Sequence, residues 1–184
     1  MAICTYNERT LVSESSVEDH PIHAKKIRYD VIGLAETRRH QLLSVVCETG
    51  EELFLETCDS RGVGGVVVLV NSNLVMNIDS FEQLMTRIGR LKWQRRGPTP
   101  YLTIFILYAF TSNYDEDEIE AFYMDLEKFY REDRIFYKVI VGDCNAKIGC
   151  TGTLEERHIG THGLEWNEQG ERLLEFITTN KKYH

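Results

Sequence analysis

No apolar run in this chain approaches the roughly 18 residues that a membrane-crossing helix requires. The first residues, Met1-Ala2-Ile3-Cys4-Thr5-Tyr6, lack the basic and long apolar regions of a signal peptide. No Asn-x-Ser/Thr acceptor occurs, so nothing points to secretion. Cysteine is sparse and odd in number, 5 in 184 residues, which fits a reduced intracellular setting, cytoplasm or nucleus, rather than a disulfide framework. Positive charge is also short. At a net charge of −8, wholesale attraction to a polyanion needs metal ions or local basic patches. Internal repeats, low-complexity blocks and linkers are all missing, which argues for a single domain over 1–184. With 42% hydrophobic and 27% charged residues, such a domain has an ordinary globular composition and enough length for a sizeable core.

The charge that is present is unevenly spread. Asp115 to Glu120 is acidic at every position except Ile119, while Arg87, Arg90, Lys92, Arg95 and Arg96 crowd one basic segment. That segment either faces a phosphate backbone or is a solvated strand pair with its turn. The acidic run opens a segment in which Ile119, Phe122, Tyr123, Leu126, Phe129 and Tyr130 recur at helical spacing. Acids at a helix start suit the positive end of its dipole, so helix-start chemistry is the better reading than a metal site.

Ile3 to Tyr6 reads as a first strand ending at Asn7, and Ser13 to Ser16 as cap candidates for a helix reaching about Arg28, with Pro21 in its first turn. Tyr29 to Leu34 reads as a second strand with Glu36 at its end. Glu52 to Thr57, Gly65 to Val70, Leu74 to Ile78 and Tyr101 to Tyr108 read as further strands. Val66 to Val70 and Leu102 to Leu107 are apolar at nearly every position and should be buried on both faces. A last helix is expected from about Glu168 to Thr179, capped by Asn167. A strand-rich centre with helices before, between and after argues for stacked sheets flanked by helices.

Chemistry gathers at four strand exits: Asn7, Glu36, Tyr108 and the pair Asp143/Asn145. In Lys138-Val139-Ile140-Val141-Gly142-Asp143-Cys144-Asn145, an apolar strand ends at a glycine that relieves the backbone. If strand geometry persists past it, Asp143 and Asn145 share a side. A carboxylate at Glu36 suits Mg²⁺, which prefers oxygen ligands. Asp143 suits the orientation of a water, and Asn145, Asn7 and the Tyr108 hydroxyl suit donation to phosphate oxygens. A turn after a strand is the plainer reading of Asp143 and Asn145 taken alone.

Thr5-Tyr6-Asn7, Ile32-Gly33-Leu34-Ala35-Glu36-Thr37-Arg38, Leu107-Tyr108-Ala109-Phe110-Thr111-Ser112 and Val141-Gly142-Asp143-Cys144-Asn145-Ala146-Lys147-Ile148-Gly149 occur in that order. Together they resemble the endonuclease/exonuclease/phosphatase superfamily, the DNase I-like and AP endonuclease-like proteins. The likeness is greatest to the endonuclease domain of RTE-type non-LTR retrotransposons. Gly160-Thr161-His162-Gly163 and Asn167-Glu168-Gln169-Gly170-Glu171-Arg172-Leu173-Leu174 add to it.

The resemblance implies an α/β (α+β) fold, a four-layer αββα sandwich of two mixed β-sheets flanked by helices. It implies cleavage of phosphodiesters with Mg²⁺, or Mn²⁺ in its place. Glu36 would be the metal ligand, supported by Asn7; Tyr108 would contact the scissile phosphate; Asp143 would align or activate the water; Asn145 would stabilise the transition state. Arg38, His162 and Asn167 would meet DNA, and a full-length element would add a reverse transcriptase domain as partner.

The family closes with further strands and a terminal Ser-Asp-His-type motif, and nothing before Lys181-Lys182-Tyr183-His184 matches it. The expectation is a C-terminally truncated domain with weak or no nuclease activity. A non-catalytic remnant or binding module of the same fold is the alternative, and a phosphatase acting on a phospholipid head group is a further one. Phe110 stands where the family usually has Pro, and Cys144 where it usually has Phe, Leu or Trp. Cys144, Cys150, His158 and His162 supply zinc-type ligands, but the cysteine spacings do not fit the usual patterns. Gly62 to Gly65 reads as a tight turn, since no Lys-Ser/Thr follows it.

Overall fold

The computed structural model describes residues 1–7, 29–37, 44–46, 52–55, 65–94, 101–110, 115–149 and 165–181. For 6–7, 34–37, 44–46, 52–55 and 181 it describes the backbone alone. The chain divides into two compact units. One comprises Met1–Tyr108 with Arg134–Asp143, the other Ala109–Asp133 with Cys144–His184. The helix expected before Arg28, with Pro21, lies outside the described residues, as does the Gly62-Val63-Gly64 part of the expected turn.

Among the described residues the first unit holds nine strands in two sheets. They are β1 (Ile3–Asn7), β2 (Val31–Thr37), β3 (Ser44–Val46), β4 (Glu52–Leu55), β5 (Gly65–Val70), β6 (Ile78–Met85), β7 (Ile88–Trp93), β8 (Leu102–Tyr108) and β9 (Tyr137–Asp143). The first sheet has the order β1-β2-β5-β4-β3 and the second β6-β7-β8-β9. Both are mixed. β1 runs parallel to β2, and β8 to β9, while the other pairings are antiparallel.

Apolar side chains press the two sheets together. Val31, Val66, Val68 and Val70 from one meet Leu91, Ile104, Ile106 and Tyr108 from the other in a single buried cluster. β5 is buried at every position, and β8 at every position after Leu102, as their unbroken apolar sequences require. Gly33 marks the closest approach. A Cβ there would lie 3.2 Å from the Ile106 Cγ2 and 3.3 Å from the Val141 Cγ2, so β2 packs directly over β8 and β9.

One expected strand is not formed as read. Leu74 and Val75 belong to a helical turn, α1 (Ser72–Val75), and the strand begins only at Ile78, running on to Met85. Asn71 decides this. Its side chain accepts a hydrogen bond from the Asn73 N–H at 3.0 Å, a helix cap that outweighs the β preference of two apolar residues.

The second unit is built on α2 (Glu116–Glu132) and α3 (Glu168–Lys181). α2 opens on Glu116, Asp117 and Glu118, where its dipole favours negative charge. It buries Ile119, Phe122, Tyr123 and Leu126. The two helices are joined by the Tyr123 hydroxyl, which donates to the Gln169 carbonyl at 3.3 Å, by an Arg172–Glu120 ion pair at 2.6 Å, and by Tyr130 set edge-on to Phe176. Among the described residues no helix is long and apolar enough to cross a membrane.

Gly142 joins the end of β9 to its neighbour. Its φ is +142°, and a Cβ there would lie 1.9 Å from the Leu107 carbonyl oxygen. Gly142→Ala is therefore expected to cost about 3 kcal/mol or more by urea denaturation, since backbone strain and a backbone clash combine. Gly33→Ala meets only side-chain methyls and should cost clearly less, about 1 kcal/mol. Equal losses would show that the Leu107 contact has no special weight.

Candidate active site

Tyr108 and Asp143 are register partners at the ends of the parallel pair β8–β9. Parallel pairing puts both residues at the same end of their strands, so a phenol and a carboxylate leave the sheet side by side. The ladder reaches them because Gly142, one step earlier, lies against Leu107 where no side chain fits.

Tyr108 is 4% exposed and part of the core cluster. The Arg87 guanidinium lies 4.9 Å from its ring centroid, and the Tyr108 N–H donates to the Arg87 carbonyl at 3.0 Å. Arg87 itself is only 6% exposed. The basic segment therefore turns partly inward. Arg87 backs Tyr108, and Arg90 pairs with Glu82 across the β6–β7 ladder. The hydrogen bond from Arg90 holds the Glu82 carboxyl below its usual pKa, against a smaller opposing effect of burial. Arg95 and Arg96 lie outside the described residues.

Asn7 and Glu36 stand at the ends of the other parallel pair. Asn7 closes β1 opposite Ala35, and Glu36 follows in β2. The register of β2 against β5 shifts between Leu34 and Thr37, so Glu36 sits in an irregular stretch of strand. Bulges of this kind interrupt the alternation of side chains and are common beside active sites. The unit thus carries Asn7, Glu36, Tyr108 and Asp143 at the ends of its two parallel strand pairs, whose strands pack on one another across the sheets.

Asn145 belongs to the second unit. β9 stops at Asp143, and Asn145 has a φ of +47° in the left-handed region, so the two-residue alternation expected through Cys144 is not the geometry present. Asparagine tolerates that conformation better than most residues. The Asn145 side-chain amide donates to the Ala109 carbonyl at 3.0 Å, and the Asn145 carbonyl accepts from the Asn167 amide at 2.8 Å. Asn167 does more than cap α3. Its Oδ1 accepts from the Gly170 N–H at 2.9 Å and from the Lys147 N–H at 2.7 Å, while its own N–H donates to the Lys147 carbonyl at 3.2 Å. Beside this loop the Tyr123 phenol is pushed up in pKa by burial, with the neighbouring Cys144 adding to it.

Arg38 and His162 lie outside the described residues, as do Cys150 and His158 of the zinc-type set. Among the described residues no group of three His, Cys, Asp or Glu is gathered closely enough to hold a metal. Sequence reasoning missed Arg87 as the support of Tyr108, although its place at the head of a basic segment, just before apolar Ile88, was a signal. It also missed how many backbone groups Asn167 serves.

No family model matches the chain. Craniofacial development protein 2 of Bos taurus is 28% identical over 162 residues, covering 85% of this chain and 26% of the relative. The chain thus spans about a quarter of that relative's length. The fold matches the endonuclease domain of TRAS1, a telomere-specific non-LTR retrotransposon, with a TM-score of 0.61 and 16% identity over 95% of this chain and 70% of the other. It also matches the AP endonuclease LMAP from Leishmania major (TM-score 0.67, 14% identity, 95% and 65% covered). A third match is the Neisseria 3′ phosphatase NExo bound to a product DNA hairpin (TM-score 0.66, 13% identity, 96% and 70% covered). The chain has the DNase I-like α/β sandwich fold shared by these nucleases and phosphatases.

The Arg87–Tyr108 stack is testable without any assay of activity. A double-mutant cycle of Arg87→Met and Tyr108→Leu, read by chemical denaturation, should give a coupling of about 1–2 kcal/mol. Additive losses would mean that the two side chains pack independently.

Proposed function

We propose that this chain is the catalytic part of a Mg²⁺-dependent endonuclease of retrotransposon type that nicks DNA. The observation that carries the reading is the pairing of Tyr108 with Asp143 at the ends of β8 and β9, in a unit whose other parallel pair ends at Asn7 and Glu36. The TRAS1 endonuclease domain and the DNA-bound Neisseria phosphatase support the choice of DNA as substrate. A reverse transcriptase domain, as in a full-length element, is the companion this reading expects.

The donor set fits the ion. Glu36 and Asn7 bring oxygen ligands only, as a hard cation prefers, and Mg²⁺ needs few protein ligands because it keeps several waters. Bound there, the ion would neutralise phosphate charge, which a chain of net charge −8 needs before it approaches DNA. The chain's own groups do the rest. Asp143 aligns a water and takes its proton, and the Tyr108 hydroxyl donates to a phosphate oxygen; the family resemblance gives Asn145 the part of stabilising the transition state. Arg87 keeps the Tyr108 ring in place from behind.

A second reading is a DNA-binding module without catalysis. It draws on the craniofacial development proteins, whose name states no enzymatic activity.

Conversion of supercoiled plasmid to open circles in Mg²⁺ tests both. Chelation should stop it, and Asp143→Ala should slow it by about 10²- to 10⁴-fold. Nicking that survives Asp143→Ala removes the site assignment. Retarded DNA mobility without any nicking favours the binding module.

A further inference from the structure

We infer that Asn167 is a positioning residue for Asn145, acting through the backbone rather than by touching substrate. This rests on the reading of Asn145 as a phosphate-facing donor. Asn145 leaves the strand end through one residue, Cys144, and sits in the left-handed region at φ +47°. A single residue in that conformation is set by what holds its two peptide planes. The plane after it is held by the Asn167 side-chain amide, which donates to the Asn145 carbonyl at 2.8 Å. Two residues on, the Lys147 N–H and carbonyl are both bound to Asn167, at 2.7 Å through its Oδ1 and at 3.2 Å through its own N–H.

The same Oδ1 accepts from Gly170 N–H at 2.9 Å, so the loop is fixed to the first turn of α3 rather than to another loop. Two glycines confirm how close the segments lie. A Cβ on Gly170 would stand 2.0 Å from the Lys147 carbonyl oxygen, and one on Gly149 would stand 2.6 Å from the Trp166 indole nitrogen. Asn167 therefore uses its side-chain oxygen and its amide for different tasks. The oxygen caps the helix and binds Lys147; the amide alone fixes the Asn145 carbonyl. Each of these bonds runs to backbone, so the contacts Asn167 makes are those of a support for the loop that carries Asn145. A carboxylate replacement separates the two tasks.

Asn167→Asp keeps the oxygen, and with it the cap and the Lys147 bond, but replaces the donor facing the Asn145 carbonyl by a second acceptor. Asn167→Ala removes both. The expected result has three parts. Asn167→Asp melts within a few degrees of the parent chain, Asn167→Ala clearly lower. Both shift the backbone and side-chain amide signals of Asn145 in ¹H–¹⁵N spectra. In plasmid nicking, Asn167→Asp lowers kcat by about ten- to hundredfold with KM nearly unchanged, the signature of a displaced group rather than a lost contact with DNA. Gly170→Ala, which wedges the same contact from the helix side, should move the same Asn145 signals.

Unmoved Asn145 signals in Asn167→Asp would overturn the inference, as would a loss of nicking that only tracks the fraction unfolded. A rise in KM at constant kcat would also overturn it, in favour of direct DNA contact. Asp143→Ala is run beside these variants. If it leaves nicking unchanged, the proposed active site fails, and the Asn145 signals still decide whether Asn167 sets that loop.

Discussion

The Leu107 carbonyl oxygen occupies the space where a side chain at position 142 would begin, and the arrangement of the strand ends follows from that contact. It lets β9 keep its ladder with β8 to the last residue, so that Tyr108 and Asp143 finish side by side. A larger residue at 142 would push the strands apart one step before Tyr108 and Asp143. The apolar core alone could not impose this. Burial of valines and isoleucines is non-directional and fixes the distance between sheets, but not the register at their ends. Register comes from backbone hydrogen bonds and from the few positions where the backbone must come close.

Polar groups then do what the core cannot. Arg87 is buried against the Tyr108 ring, and its carbonyl accepts the Tyr108 N–H, so one residue fixes both the ring and the main chain of its neighbour. Asn167 plays a similar part in the second unit, where one side chain serves Asn145, Lys147 and Gly170. Arg87 clamps the end of a laddered strand, whereas Asn167 clamps a segment that has no regular ladder of its own. Such segments have no other way to satisfy their backbone groups away from water.

Part of this was readable in advance because its signals are local. The unbroken apolar runs of β5 and β8, the helical spacing of α2 and the cap at Asn167 all depend on neighbours within a few residues. β6 was not read in full, because its alternating polar residues and the Asn71 cap before it blur where the strand begins. Asn145 was expected to continue the strand, but its left-handed backbone depends on Ala109 and Asn167, which are distant in sequence. Arg87 looked like surface charge because nothing local says that a tyrosine will cover it.

The sequence by itself determined the apolar strands β5 and β8, the two long helices, and that Asn7, Glu36, Tyr108 and Asp143 stand at or near strand ends. Spacing, caps and apolar period are properties of short stretches of chain, so they can be read there. Tertiary structure alone decided that Tyr108 pairs with Asp143, that Arg87 lies under Tyr108, and that Asn167 holds the backbone at Asn145 and Lys147. Those contacts join residues far apart along the chain. They exist only once each unit has folded and a directional bond can choose among the partners that folding brings within reach.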